Sequence, residues 1–565
     1  MPGFSEIEVT FEDVKNYVTA VIAIFIIVFC PHRLTAQNAR VQWVHCSADS
    51  ALKNIDIWLD TNLVSENLVF RSATPLSVVS AGTVVVRVVK HGLDTTQAVF
   101  TDTIVLSSNE QYAVFLAGHV SSGYTPAHPF GIHLIKEPYP DPGIAGHTAL
   151  RFFNGISDGG DMRCKEFELT GQYLTDKLAF GESSPVINLE SLNYLLAFES
   201  DHSPAGLYRL TLTTSGLADS SIILVASGYK NPSTNNNGAG LSWAYLKPSG
   251  GAFTTMPVVT GKVRFVNDIV SGAFTSVDVY ANQSRVYSDL KYRHATNEIN
   301  LPAYKITKVD WVATDGDSLG KTIVSDTIVP SYKLGDLILG SGDAQHGQNG
   351  NESPVLTYHT YNFTSGLGSN SDLSFIHSSP DAVSLTVFES KRLNSTLFPA
   401  VGFGHSSAIV QLPVATYTLE LQVMVGLTFK SYDLNLSEGG YSGKHITLIA
   451  SGLSDTALAD SQSVLGLYKL PAAAGALTEL NQRLGISQPN DSKVKVFPNP
   501  SSGRIFIQHV ANGAAYHVFT MSGDLLHTGT VNENGFDTGQ LSDGTYVLQI
   551  ETENGPVIKR IEIIR

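Results

Sequence analysis

Four stretches decide how this chain is read: VQWVHCSAD at 41–49, LRFFNGISD at 150–158, VRFVNDIVS at 263–271 and LSFIHSSPD at 373–381. The third position is aromatic in every copy, as Trp43, Phe152, Phe265 and Phe375. The fifth is histidine or asparagine (His45, Asn154, Asn267, His377), and the ninth reads Asp49, Asp158, Ser271 and Asp381. The starts lie about 110 residues apart, a domain-sized period rather than a solenoid-sized one.

Working outward, KNIDIWLD from Lys53, TSVDVYAN from Thr275 and SLTVFES from Ser384 alternate apolar and polar residues, the period of a strand with one buried face. A further strand carries TVVVRVV, YLLAFES or YTLELQV. Each unit then closes on a hydrophobic strand ending in glycine, at Gly118, Gly228, Gly342 and Gly452. Linkers dense in turn formers follow, such as EPYPDPGIAG and NPSTNNNGAG, and no long amphipathic helix interrupts the strands. The expected fold is all-β: tandem antiparallel β-sandwiches of Ig-like type with a small C-terminal β-sandwich. The expected boundaries are 1–36 for a signal peptide, 37–148, 149–261, 262–372 and 373–487 for four repeats with their linkers, and 488–565 for a C-terminal domain.

With 565 residues the chain exceeds a single hydrophobic core. Charged residues are only 15%, against roughly 25% in average soluble domains. The net charge is −15 with no basic block, which argues against nucleic acid and anionic membranes as partners. The apolar run Val18 to Cys30 is about 13 residues, short of the roughly 20 a bilayer span requires. Followed by Leu34-Thr35-Ala36, it reads as a signal peptide cleaved before Gln37, although Glu6, Glu8, Glu12 and Asp13 make its leading end unusually acidic. A lipoprotein reading through Cys30 is the weaker alternative, because Pro31 follows. Cys46 and Cys164 remain; they occupy non-equivalent positions in different repeats and are expected to be buried free thiols.

Gly404-His405-Ser406-Ser407-Ala408 is one residue short of the G-x-S-x-G nucleophile pattern. The matching stretches FRSATPLSVV, FGESSPVINL and YRHATNEINL keep an aromatic (Phe70, Phe180, Tyr292, Phe403) and a small polar pair. His405 is replaced by Ser72, Glu182 and His294, and the chain runs on into another strand, so a turn before a β-strand is expected. Asp49, Asp158 and Asp381 recur once per repeat and are expected to cap turns rather than to form the facing acid pair of a glycoside hydrolase. Asp315-Gly316-Asp317 and Asp158-Gly159-Gly160-Asp161 offer clustered oxygens but match no twelve-residue calcium loop. The His/Asn position is expected to make one structural hydrogen bond near a strand end. No catalytic, cofactor-binding or metal residue is assigned, and no cofactor is expected.

The repeat start, the F-G-x-[SA]-[ST]-P turn and the closing A-x-G strand resemble a bacterial extracellular domain family of unknown function, numbered four-three-nine-seven. The resemblance covers roughly residues 40 to 470 and is strongest in the first and fourth repeats. The second carries the insertion-like MRCKEFELTG, and the third lacks the aspartate at Ser271 and the turn proline. The family supplies no catalytic residues to transfer. KVFPNPSSGRIFI from Lys495, HVFTMSGDLLHTG, FDTGQLSDGTYVLQIETENG and the terminal KRIEIIR closely resemble the C-terminal sorting domain of the type nine secretion system of Bacteroidetes. The matching positions are Pro498, Asn499, Pro500, Gly503, Gly523, Gly544, Tyr546 and Lys559. The resemblance implies partners in the outer-membrane translocon and its sortase, and release or tethering to a surface lipopolysaccharide. The expectation is a secreted or outer-membrane-surface, extracellular protein with a non-catalytic binding, adhesion or structural role and an unknown glycan or protein ligand. The alternative is an exported hydrolase acting on polysaccharide or protein with a degenerate site in one repeat.

Overall fold

The computed structural model describes residues 15, 37–213, 215–344, 352–361, 369–424, 427–438, 440–455, 459, 463–483, 494–521, 524–552 and 555–564. The signal-peptide reading falls outside them apart from Lys15, and Gly523 also lies outside. No described helix is long and apolar enough to cross a membrane. Among the described residues the named helical elements are four three-residue 3-10 turns, and every other named element is a strand. The chain is all-β, as its alternation implies. It divides into two compact units, residues 1–202 with 208–257, and residues 203–207 with 258–565.

In the first unit, the first sandwich opens on Asn38–His45. This strand runs parallel to the closing strand Gln111–Ala117, in register from Arg40↔Gln111 to His45↔Leu116. The same parallel pair joins His147–Gly155 to Ser220–Ser227, Thr260–Val270 to Gly335–Asp343, and Asn370–His377 to His445–Ser451. Among the named strands, the sandwiches are therefore antiparallel apart from one parallel pair per repeat. Facing this sheet in the first repeat is the antiparallel sheet ordered Asn62–Val69, Asn54–Leu59, Gly82–Lys90, Phe100–Leu106.

Three repeats share a bulge in that second sheet. Register shifts at Ile55/Ile57, Val277/Val279 and Leu385/Val387, where Asp56, Asp278 and Thr386 accept the N–H of Asn67, Asp289 and Ala400. Those three partners sit at φ 56, 57 and 39, a left-handed geometry that the side-chain acceptor holds in place. In the second repeat Met162–Glu166 pairs with Asn193–Ser200, the place taken by Asn54–Leu59 against Gly82–Lys90 in the first. MRCKE is thus the counterpart strand and not an insertion; what differs is the stretch after it, which is held by isolated bridges at Tyr173 and Leu178.

The closing strands explain why the copies come in pairs. Tyr112, Val114 and Leu116 point into their own sandwich core, whereas Ala113, Phe115 and Ala117 point into a second core shared with the next repeat. A strand apolar on both faces needs a covering layer on each. In the first unit that shared core joins Val44, Cys46 and Phe115 to Phe153, Ile223 and Val225, with Phe115 and Phe153 stacked at 3.9 Å. In the second, Val266, Leu337 and Leu339 meet Ile376, Ile449 and Tyr468. Short strands seal each junction, Ser72–Ala73 with Gly251–Ala252 and His294–Ala295 with Gly475–Ala476.

Equivalent side chains hold the two junctions. Arg71 donates from Nε and Nη2 to Ser227 Oγ and O at 2.9 and 3.0 Å, and to Gly240 O at 2.6 Å. Arg293 donates to Ser451 Oγ and O at 2.7 and 3.0 Å, and to Val464 O at 3.0 Å. Both arginines are left-handed, at φ 61 and 53, and the second and fourth repeats place Gly181 and Gly404 there instead. The closing glycine is required as well. A Cβ on Gly228 (φ 93) would lie 2.4 Å from Gly240 O and 2.6 Å from Arg71 Nη2, and one on Gly452 (φ 103) would meet Ser463 O and Arg293 Nη2 at the same distances. Gln42 and Arg264, one residue before the repeat aromatic, likewise cross to Lys247 O and to Pro471 O and Ala473 O.

Candidate functional site

The recurring polar residues are all engaged by backbone. Ser407 Oγ accepts the Phe375 N–H at 3.0 Å, as Thr74, Ser184 and Thr296 accept those of Trp43, Phe152 and Phe265 at 2.9–3.0 Å. The second residue of the small polar pair is therefore a cap on the opening strand, where its neighbour changes from one short strand to the next. Ser406 is exposed, bridges Ile376 through backbone, and leads into the strand Val410–Pro413. The exposed His405 hydrogen-bonds Phe403 O through Nδ1. The turn reading holds, and there is no helix behind Ser406 to form a nucleophile elbow.

The aspartates bind the chain just past the closing glycine. Asp49 accepts N–H groups from Ala51, Val120 and Ser121 and the hydroxyls of Ser121 and Tyr124; although burial works to raise its pKa, these donors hold it below the usual carboxylate value. Asp158 accepts Lys230 N, Asn231 N and Asn235 Nδ2, and Asp381 accepts Ser379 Oγ, Ser454 N and Asp455 N. Among the described residues Ser271 caps only Ala273 N. Asp315 accepts the N–H of Thr275 at 2.8 Å and the hydroxyl of the same residue.

At the fifth position histidine and asparagine do one job. Asn154 and Asn267 accept the N–H two residues on (Ile156, Ile269) and donate to Leu178 O and Leu290 O. His377 accepts Ser379 N through Nδ1 and bonds Ala382 O through Nε2, and His45 bonds Leu52 O. Burial pushes both histidines down to about 4, so they are neutral. Cys46 and Cys164 are buried free thiols, as expected; burial raises Cys46 to about 12 and Cys164 well above its usual value. Among the described residues no three His, Cys, Asp or Glu side chains gather as a metal site.

The remaining candidate is the C-terminal domain, built from a three-stranded sheet (Lys495–Phe497, Arg504–Gln508, Phe536–Asp537) and a four-stranded one (Leu525–Thr530, Ala515–Phe519, Gly544–Thr552, Gly555–Ile563). Val518, Leu548, Ile550, Ile561 and Ile563 form its core with Ile505. Pro498, Asn499, Pro500 and Gly503 lie in the turn joining the first two strands, whose register runs Lys495↔Gln508 to Phe497↔Phe506. Asn499 fastens that turn to the last strand, donating to Arg560 O at 2.8 Å and accepting Glu562 N–H at 2.7 Å. Ser501 N–H adds a bond to Glu562 O. Gly503 O accepts both the N–H and the hydroxyl of Thr538. Gly544 (φ 152) starts the central strand, Tyr546 is buried with its hydroxyl donating to Ser542 O at 2.8 Å, and Lys559 pairs opposite Leu548.

Residues 495–564 match the secretion system C-terminal sorting domain. Such a tail implies export by the type nine secretion machinery, contact with that machinery, and delivery to the cell surface or extracellular space. Residues 39–165 match a domain of unknown function, DUF4397; they span the first repeat and the opening of the second. No curated protein sequence matches the chain. Among solved structures it is similar to the Bacillus anthracis TIE protein, at 10% identity over 77% of this chain and 70% of that one, with a TM-score of 0.13. PorZ, an essential bacterial surface component of the type-IX secretion system of Porphyromonas gingivalis, aligns at 11% identity over 87% and 91%, TM-score 0.12. Sidekick-1 immunoglobulin domains 1–5 align at 10% identity over 75% and 98%, TM-score 0.12. Scores this low establish no shared architecture, and no property of those proteins passes to this chain.

Two features escaped the sequence reading. One is the Arg71/Arg293 pair, visible as an R in FRSAT and YRHAT against a G in FGESS and FGHSS. The other is Asp268, an acid where the other copies carry Cys46, Gly155 and Ser378.

Proposed function

We propose that this is an exported protein whose paired β-sandwich repeats perform a non-catalytic binding or adhesive role at the cell surface. The observation that carries the reading is the sorting-domain match at residues 495–564, joined to repeats whose recurrent Ser, Asp and His groups are committed to backbone hydrogen bonds. A nucleophile or general base must be free to reach substrate; these side chains hold strand ends and turns. Repetition favours binding, because weak contacts in tandem add by avidity. A glycan or protein ligand on the exposed sheets fits this design, and lipopolysaccharide tethering would hold the repeats at the surface.

Glycan and host-protein arrays probed with the exported chain test the binding role. Saturable binding that weakens when one repeat pair is removed is expected. Turnover of a polysaccharide or protein substrate, abolished by a single acid or serine substitution, would replace this reading with an enzymatic one.

A further inference from the structure

The sixth position of the repeat start in one member of a pair faces the sixth position of the other. In the first unit these are Cys46 and Gly155, so close that a Cβ on Gly155 would sit 2.5 Å from Cys46 Sγ. In the second unit they are Asp268 and Ser378. Asp268 is fully buried in the junction. Its Oδ1 accepts Ser451 Oγ at 2.5 Å, and among the described residues its Oδ2 has no hydrogen-bond partner. Ser378 stands beside it while donating to Ser341 Oγ at 2.8 Å. One junction thus holds an ionisable acid where its twin holds an inert thiol.

We propose that the junction between the third and fourth repeats is a pH-responsive joint, tightened when Asp268 is protonated and loosened when it ionises. A neutral acid leaves little charge to desolvate, whereas a carboxylate is enclosed away from water with the Ser451 and Ser378 hydroxyls and Arg293 as its only polar relief. The groups facing it are Arg293, which favours the carboxylate, and the hydroxyls of Tyr292 and Tyr468; Glu479 and Lys430 lie around Arg293 and Tyr468. Burial outweighs Arg293 and raises the carboxyl to about 6 from an ordinary 3.8. Because the folded value lies above the unfolded one, the closed junction binds the extra proton between those two pH values. Stability is therefore gained as pH falls through that window and lost as it rises. The buried histidines act with the opposite sign in the same range, so the joint is read as a difference between wild type and a variant. The proposal goes beyond the binding role and does not depend on any ligand.

The test is hydrogen exchange with mass spectrometry on the full exported chain at pH 5 and pH 8, corrected for intrinsic exchange, comparing wild type with D268N. In peptides covering Thr260–Val270 and His445–Ser451, wild-type opening should rise roughly tenfold from pH 5 to pH 8 relative to D268N, which carries no titrating group there. Peptides covering Asn38–His45 and Ser220–Ser227 should show no difference between the two proteins. D268S, which installs the residue the fourth repeat carries, gives the same readout should the asparagine disturb folding. An identical pH dependence in wild type and both variants overturns the proposal, as does an equal change in the first unit's peptides.

Discussion

Arg71→Ala, read through the reactivity of Cys46, tests the paired architecture most directly. Arg71 makes three hydrogen bonds across the junction of the first two repeats, to Ser227 Oγ, Ser227 O and Gly240 O, and its guanidinium lies 4.8 Å from the Phe70 ring centroid. A hydrogen bond from a charged donor contributes about 1.5–3 kcal/mol, and orphaned carbonyls add to the loss. Since Arg71 is only partly buried and water refills part of the gap, the expected destabilisation of the junction is about 2–4 kcal/mol. Cys46 is buried in that junction with its thiol raised to about 12, so it is alkylated only when the junction opens. At about 1.4 kcal/mol per tenfold, opening and hence labelling should accelerate roughly 30- to 700-fold, measured by maleimide labelling under native conditions with peptide mapping to separate Cys46 from Cys164. Arg71→Gly supplies the internal control. It loses the same bonds but relieves a left-handed backbone at φ 61, recovering about 1 kcal/mol. It should therefore label roughly fivefold more slowly than the alanine variant. Labelling of R71A within twofold of wild type, or R71G faster than R71A, would refute the reasoning.

Other substitutions separate capping from catalysis. Ser407→Ala should cost about 1 kcal/mol by orphaning the Phe375 N–H, while Ser406→Ala should leave stability unchanged; urea midpoints of the full chain decide it, and a larger effect at Ser406 would count against the turn reading. Burial depresses His45 and His377 to about 4. The unfolded chain therefore binds their protons first, and their contribution is intact above about pH 6.5 and falls by about 3 kcal/mol each toward pH 4. His377→Asn, the residue the second and third repeats use, should flatten that acid loss for the fourth repeat when protease susceptibility is followed from pH 7 to pH 4.5. Asn499→Ala should free the Glu562 N–H and Arg560 O; for exposed bonds the cost is about 0.5–1 kcal/mol, seen as an earlier melt of the C-terminal domain. Removing residues 494–565 should leave the chain in the periplasm, where cell fractionation would detect it, because the sorting domain is gone.

The alternating strands, the glycine at each closing strand and the capping residues were legible in the sequence because each answers a local demand. A strand with one wet face must alternate, and the closing glycines take positive φ with neighbouring carbonyl oxygens too near to admit a side chain. Asp49 and Asp381 were readable as turn caps for the same reason, and the Pro-Asn-Pro stretch as a turn. Long-range partners were not legible. Nothing local says that Phe115 stacks on Phe153, that Arg71 reaches Gly240, or that MRCKE takes the place of KNIDIWLD, since those relations join residues far apart in the chain. The closing strand is legible only as hydrophobic; that it is apolar on both faces and covered on the second by the neighbouring repeat was decided by the tertiary structure. In the same way the sequence displays an aspartate at 268, while its enclosure beside Ser378 and Ser451, where desolvation and not local chemistry governs its charge, exists only once two repeats have closed over it.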